Sequence, residues 1–214
     1  MQKLQSLLND SKIQNYYQLA DESKFYHAEH NLSHALRVME LCQIIATQLN
    51  LADHDVENVC IAGLLHDIGA SNFGKKNHAE RSFEFAHQYT QNVDILNAIR
   101  YHSHGHPSTY GYILTLADKL DICRNRVTEL GATITGVRQF LHFTALTLEI
   151  KNNCLTIQIT SDQQTDWEEL NDYYFVTKIF TAIKNFADYF KLTYQVLVDN
   201  QPWQITPTIQ ESTI

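Results

Sequence analysis

Residues that break regular structure are scarce, with seven glycines and three prolines among 214 residues. That scarcity excludes collagen-like and Pro/Gly-rich low-complexity chains and leans the fold toward helices. Cys42, Cys60, Cys123 and Cys154 show no C-x-x-C spacing. A disulfide framework is therefore not expected at this size, and Cys42 and Cys60, set in apolar helical patterns, read as buried reduced thiols. No run approaches the roughly 18 apolar residues of a membrane span. The opening "MQKLQSLLNDSKIQNYYQ" lacks an apolar core and a small-residue cleavage site, so no signal peptide and no membrane partner are expected, and the location expected is cytoplasmic. Positive charge is also short: 16 Lys and Arg against 24 Asp and Glu give a formal net charge of -8. A long nucleic-acid polymer is thereby disfavoured as a partner. A small phosphorylated ligand is not, since one pocket can be locally positive.

What is present is an ordinary globular composition, 44% hydrophobic and 19% charged, long enough to build a core without disulfides. Leu32, Ala35, Leu36, Met39, Cys42, Ala46 and Leu49 recur at helical spacing and predict a helix over 32–49. A second helix is expected over 53–68, capped by Asp53 or Asp55 and ended by Gly69. Asn77 with Glu80 resembles a capping box opening a third helix through Phe83, Phe85 and Ala86. A short helix over 94–102, a break at "HSHGHPSTYG" and a helix over 112–128 complete a helical body of about residues 1–135. After Gly136 the pattern changes. "ALTLEIKNNCLTIQIT" alternates on both sides of Asn152-Asn153 and predicts a hairpin. A helix over 166–191 and a strand at "YQVLVDNQPW" follow. The fold class expected is mainly α, a helical bundle over 1–135 with a small α+β extension over 136–214, whose hairpin edge offers a place for a second copy in a homodimer.

"GLLHDIG" sets His66 and Asp67 side by side at the end of an apolar run, which core packing does not require. His34, His78, His102 and Asp118 join them, all on or at the ends of expected helices. Imidazole and carboxylate donors suit Fe, Mn, Co, Ni or Zn, and helical bundles hold such ions from facing side chains. A carboxylate has two oxygens, so Asp67 can bridge two ions while His66 holds one. Taken singly, each residue has a plain structural reading: His34 as a core histidine, His66-Asp67 as a satisfied polar pair, His78 as a first-turn residue, Asp118 as an ion-pair partner. Their coincidence favours a site. Lys75 and Lys76, between Asp67 and His78, can reach a phosphate or be simply solvated. Arg124 lies nearer the Asp118 helix face than Arg126 does and offers a bidentate fork to phosphate, or a surface ion pair.

"HALRVM", "LLHDIG", "NHAERS", "AIRYHS" and "LADKLD", in that order over about residues 25–130, resemble the HD-domain superfamily of metal-dependent phosphohydrolases. The resemblance implies His34 as first ligand, His66 and Asp67 as the signature pair, Asp118 as the closing aspartate, and His78 with His102 as the histidines of members holding two ions. It implies one or two divalent ions as cofactor, with Asp67 central to catalysis. His30, four residues before His34, is similar to a general acid of some HD phosphodiesterases, though a capping or surface role suits it equally. His104 stands in as ligand should His102 not serve. "ADKLDICRNR" is similar to the last motif of bacterial HD proteins that split dinucleoside tetraphosphates symmetrically, with Asp121 where a glutamate is expected. The activity expected is hydrolysis of phosphate esters or anhydrides in a small nucleotide-like substrate. A water held between two divalent cations is a nucleophile near neutral pH and serves that reaction. Alternatives are a nucleoside monophosphatase, a cyclic-dinucleotide phosphodiesterase, or a non-catalytic ligand-sensing module. The aromatics of the extension read more readily as core than as a base-stacking platform.

Overall fold

The computed structural model describes residues 1–21, 26–70 and 76–203. Lys75 lies outside the described residues. Two short helices, α1 (Gln2–Leu8) and α2 (Ser11–Asp21), precede the bundle formed by α3 (Leu32–Gln48), α4 (Asp53–Leu65), α5 (His78–Ala86), α6 (Val93–Tyr101) and α7 (Thr109–Leu120). Helix α4 is the axis of the body. Val56 and every residue from Val59 to Leu65 are buried, so its C-terminal end delivers the next two residues, His66 and Asp67, into the interior. Helix α3 begins on a side-chain cap: Asn31 accepts from the His34 amide at 3.0 Å, which fixes the turn that carries His34.

Several local expectations fail for identifiable reasons. Asp53 and Asp55 do not cap α4. Ala52 is the N-cap without a side-chain bond, and both acids sit in the first turn, where they favour the helix dipole. The capping box at α5 is absent. Asn77 is left-handed at φ 60° with no side-chain cap bond, while Glu80 is taken by Arg100 through two 2.8 Å bonds. Helix α7 stops at Leu120 rather than 128. Asp121 leaves the helix at ψ 74°, and a short 3-10 turn follows over Arg124–Arg126. The turn is held because segment 26–29 pairs with segment 126–128: Glu29 donates to the Arg126 carbonyl at 2.8 Å, beside a bridge between Ala28 and Val127.

The extension is a mixed sheet of order β1 (Phe143–Lys151), β2 (Cys154–Ser161), β3 (Thr193–Val198) and β4 (Gln201–Pro202). The β1–β2 hairpin forms as expected, with Asn152 and Asn153 at φ 50° and 60°, the two positive values a tight hairpin turn needs. The expected single strand at 194–203 is instead β3 and β4 around a second positive-φ pair, Asp199-Asn200. Strand β3 runs parallel to β2, so the chain crosses over through α8 (Trp167–Asp172) and α9 (Tyr174–Phe190). These replace the one helix expected over 166–191, because Tyr173 adopts an extended conformation between them. Gly136 permits this join: a Cβ there would stand 2.5 Å from the Tyr173 side chain.

The two parts share one apolar core running from Leu4 through Leu64 and Phe143 to Trp203. The Gln48 side chain reaches from α3 to the β1 edge, donating to the Leu148 carbonyl at 3.1 Å and accepting from the Ile150 amide. Tyr112 of α7 meets Tyr189 of α9 at 4.6 Å between ring centroids. Cys42 and Cys60 are free and buried. Among the described residues no helix is long and apolar enough to cross a membrane.

Candidate metal centre

His34 from α3, His66 and Asp67 from the end of α4, His78 from the start of α5, His102 just after α6 and Asp118 from α7 converge in the interior, and all six are buried. They form two groups that share Asp67. In the first, the His34 and His66 Nε2 atoms are 3.1 Å apart and lie 3.4 and 3.5 Å from Asp67 Oδ2. Asp118 Oδ1 closes this group, 3.4 Å from His34 Nε2 and 3.8 Å from His66 Nε2. In the second, the His78 and His102 Nε2 atoms are 3.1 Å apart and lie 3.2 and 3.3 Å from Asp67 Oδ1. Donor atoms about 2.1 Å from one ion stand about 3.0 Å apart in an octahedron and about 3.4 Å apart in a tetrahedron. Most of these spacings fall in or near that interval.

The ring tautomers support the same conclusion. His66 Nδ1 lies 2.8 Å from the Gly63 carbonyl and His102 Nδ1 lies 2.7 Å from the Ile99 carbonyl. A carbonyl only accepts, so each Nδ1 carries a proton, and in the neutral ring Nε2 presents a lone pair to the interior. Burial lowers the His102 pKa, even against its bonds with Asp67. Lone pairs on histidines then face the lone pairs of Asp67, and Asp67 Oδ1 is buried without a hydrogen-bond donor. A shared cation would resolve that repulsion.

Electrostatics in the first group point the same way. Burial, then the Arg126 guanidinium, pull the His34 pKa down, yet the bonds to Asp118, Asp121 and Asp67 outweigh both and raise it to about 9. Burial alone would raise the pKa of Asp67 and Asp118. The surrounding histidines for Asp67, and Lys119 with His34, His66 and Arg126 for Asp118, hold them well below the ordinary carboxylate range instead. Ionised carboxylates that draw positive charge onto a buried imidazole make a seat for a cation. Two buried His/Asp groups of this kind suit divalent metal ions.

Around the donors stands a supporting set that sequence reading largely missed. Asp121 accepts from His34 Nδ1 at 2.7 Å and from Arg37 Nε and Nη2 at 2.8 and 3.0 Å, fixing the tautomer and rotation of the first ligand. Its spacing of three after Asp118 was the available signal. Lys119 Nζ lies 2.5 Å from Asp118 Oδ2. The arginine beside Asp118 is Arg126, at 3.4 Å. Arg124 instead points outward to Asp162 at 3.3 Å. The expectation that Arg124 faces the site depended on a helix continuing through 128, and the stop at Leu120 exchanges the two arginines. His30 is buried, its Nδ1 2.7 Å from the Ala28 carbonyl and its Nε2 3.9 Å from Asp67 Oδ2. His104 is exposed while His102 is buried. Lys76 is exposed, and its carbonyl accepts from Arg81 at 2.7 Å.

Position also depends on one close approach. Gly69 sits in the 3-10 turn after Asp67, and a Cβ there would stand 2.4 Å from the Ser82 amide nitrogen and 2.5 Å from the His78 carbonyl. Only glycine lets α5 lie near enough to bring His78 onto Asp67.

A buried His/Asp centre gathered from the ends of bundled helices is an arrangement that suits divalent metal ions. Residues 31–123 match the HD domain family. The helical body thus contains an HD domain match over those residues. Similar curated proteins include Ribonuclease Y of Mycoplasma mycoides, 33% identical over 114 residues, which cover 51% of this chain and 25% of that protein. Ribonuclease Y 1 of Pediococcus pentosaceus is 28% identical over 124 residues, covering 57% of this chain and 23% of the relative. The chain thus spans about a quarter of the length of the curated relatives it matches. A solved structure from Clostridium acetobutylicum, described as an HD superfamily hydrolase involved in NAD metabolism, is 23% identical with a TM-score of 0.40, covering 51% of this chain and 67% of that one.

Proposed function

We propose that this protein is a metal-dependent phosphohydrolase acting on phosphate esters or anhydrides of a small, nucleotide-like molecule. One observation carries the reading. The two oxygens of Asp67 face two different histidine pairs, Oδ2 toward His34 and His66 and Oδ1 toward His78 and His102, which is the arrangement a bridging carboxylate takes between paired ions. Divalent ions bound there would supply Lewis acidity toward phosphate oxygens and bring the pKa of water near neutrality. The chain's own groups do the rest. Asp67 and Asp118 with the four histidines would hold the ions, and Asp121 orients His34. His30, turned toward the centre on the side of a cavity it lines, holds a proton for the leaving oxygen. Lys119 and Arg126 flank Asp118 and place positive charge where a phosphate would enter. Lys75 and Lys76 remain candidates for the far phosphates by their place in sequence between Asp67 and His78.

The relatives named Ribonuclease Y carry the name of an enzyme acting on RNA, which supports a nucleotide phosphoester as the bond attacked. The net charge of -8 favours a small substrate over a polymer. Dinucleoside polyphosphates are the first substrates to try, followed by nucleoside monophosphates and cyclic dinucleotides. The test is elemental analysis of protein purified without chelator, joined to turnover of those substrates. Two ions per chain with hydrolysis, both abolished in Asp67→Ala, are expected. Undiminished turnover in Asp67→Ala would sink the reading.

A further inference from the structure

A cavity of about 240 Å³ opens where the extension meets the HD domain. It borders the metal centre directly. His30, which lies 3.9 Å from Asp67, is in its wall, and so is Asp121, which holds His34. The remaining wall is aromatic and is drawn from separate parts of the chain: Tyr26 ahead of α3, Phe140 in the 3-10 turn before β1, and Tyr173 with Phe175 at the join of α8 and α9. Phe140 stands 6.3 Å from Tyr173 and 6.4 Å from Phe175 between ring centroids, and Tyr173 lies 6.2 Å from Phe175 at 34°. The three rings therefore form one aromatic group in the wall. Polar side chains in the lining include His30, Asp121 and Arg126, whose Nη1 is held by the Asp118 and Asp121 carbonyls at 3.2 and 3.3 Å.

We propose that the extension, rather than the HD helices, builds the recognition pocket for the ring portion of the substrate, a nucleobase bound against Phe140, Tyr173 and Phe175 with its polar edge toward the polar side chains of the wall. The inference rests on the phosphohydrolase reading and names the part of the substrate that reading leaves open. Size selects the occupant. The volume is below the roughly 300–1,000 Å³ of a pocket for a whole drug-sized ligand, so it takes one flat group while the phosphates lie outside, past His30, at the metals. Chemistry selects it too. An aliphatic chain would fill the space but offer nothing to the polar side chains in the wall, whereas a sugar would offer hydrogen bonds and waste the aromatic rings. A nucleobase brings a π face and ring acceptors together, and stacking on aromatic side chains is tolerant of which base it is.

The experiment is calorimetric binding of adenosine, guanosine, cytidine and uridine to the metal-loaded full chain, with ribose and hexanol as comparisons. These nucleosides lack the phosphate that would be cleaved, so pocket and turnover are read separately. Nucleosides are expected to bind at least tenfold tighter than ribose and hexanol. Tyr174→Ala, at an exposed ring of the same wall, and Phe175→Leu, which keeps apolar volume, are each expected to weaken nucleosides by about five- to tenfold with thermal melting retained. Nucleoside binding that is absent, that neither variant alters, or that hexanol matches overturns the proposal. Binding that the variants impair, in a protein that cleaves no nucleotide phosphate, upholds the pocket and overturns the hydrolase reading instead.

Discussion

Asp121→Asn isolates the carboxylate behind the first ligand. In the wild type, Asp121 Oδ2 receives His34 Nδ1 at 2.7 Å and Arg37 Nη2 at 3.0 Å, while Oδ1 receives Arg37 Nε at 2.8 Å. An asparagine of the same shape has one acceptor and one donor group for these three donors. If its carbonyl turns to His34, its amide opposes Arg37 Nε. If it turns the other way, the amide opposes His34 Nδ1 and drives the imidazole toward the tautomer whose Nε2 is protonated and cannot bind metal. Arg37 keeps Glu29 at 3.3 Å as a partner, so the guanidinium is not left bare and the fold should hold. Loss of such a supporting partner costs 10–100-fold in metal affinity, about 1.4–2.7 kcal/mol. The assay is competition of Mn²⁺ or Zn²⁺ against a chromophoric chelator, which resolves two affinities per chain. The affinity assigned to the His34–His66 side should fall by that factor, while the His78–His102 side, which Asp121 does not touch, should move less than threefold. Unchanged affinity at both positions, or an equal fall at both, refutes the division into two groups joined at Asp67.

The other expectations are simpler to read. His78→Ala removes one donor of the second group only, so metal content should drop from two ions to one, as elemental analysis will show. Gly69→Ala forces a methyl group against the backbone of α5; strain of this kind costs about 1–3 kcal/mol, and at about 2–4 °C per kcal/mol the melting temperature should fall by roughly 2–12 °C. Second-site metal affinity should fall with it, because α5 carries His78. Arg124→Ala removes an exposed ion pair with Asp162 and should change stability by less than about 0.5 kcal/mol with kcat and KM unmoved. An Arg124→Ala variant that raises KM would restore Arg124 to the substrate site.

The residues of the candidate metal centre stood out in the sequence because they contrast with their surroundings. A histidine and an aspartate closing the apolar run of α4, or a histidine inside the apolar stripe of α3, stand out against a local periodicity that one stretch of chain is enough to define. The hairpin at Asn152-Asn153 was legible for the same reason, since its turn chemistry is complete in two residues. What escaped depends on partners far away in sequence. Helix α7 carries nothing obvious to end it at Leu120; it ends there because the following residues pair with segment 26–29, about a hundred positions earlier. With that stop, Arg126 replaced Arg124 beside Asp118, and Asp121 became the support of His34. Asn77 and Glu80 match a capping box in spacing, yet a left-handed Asn77 and an Arg100 across the helix pair overrode the local preference. The aromatic wall beside His30 was equally hidden, because Tyr26, Phe140 and Tyr173 come together only after the extension folds back on the body.

The bonds from His66 to the Gly63 carbonyl and from His102 to the Ile99 carbonyl have a consequence for dynamics. Each carbonyl belongs to the last turn of its own helix, and the Ile99 carbonyl also receives the His102 amide, at 3.4 Å. The ring that points at the metal thus also finishes the helix behind it, and fraying of either end swings a donor away from the centre. Metal uptake and the ordering of these two turns are one equilibrium. Loaded protein should protect the final amides of α4 and α6 from hydrogen exchange far longer than stripped protein does, while β2, paired between β1 and β3 in the extension, exchanges alike in the two states.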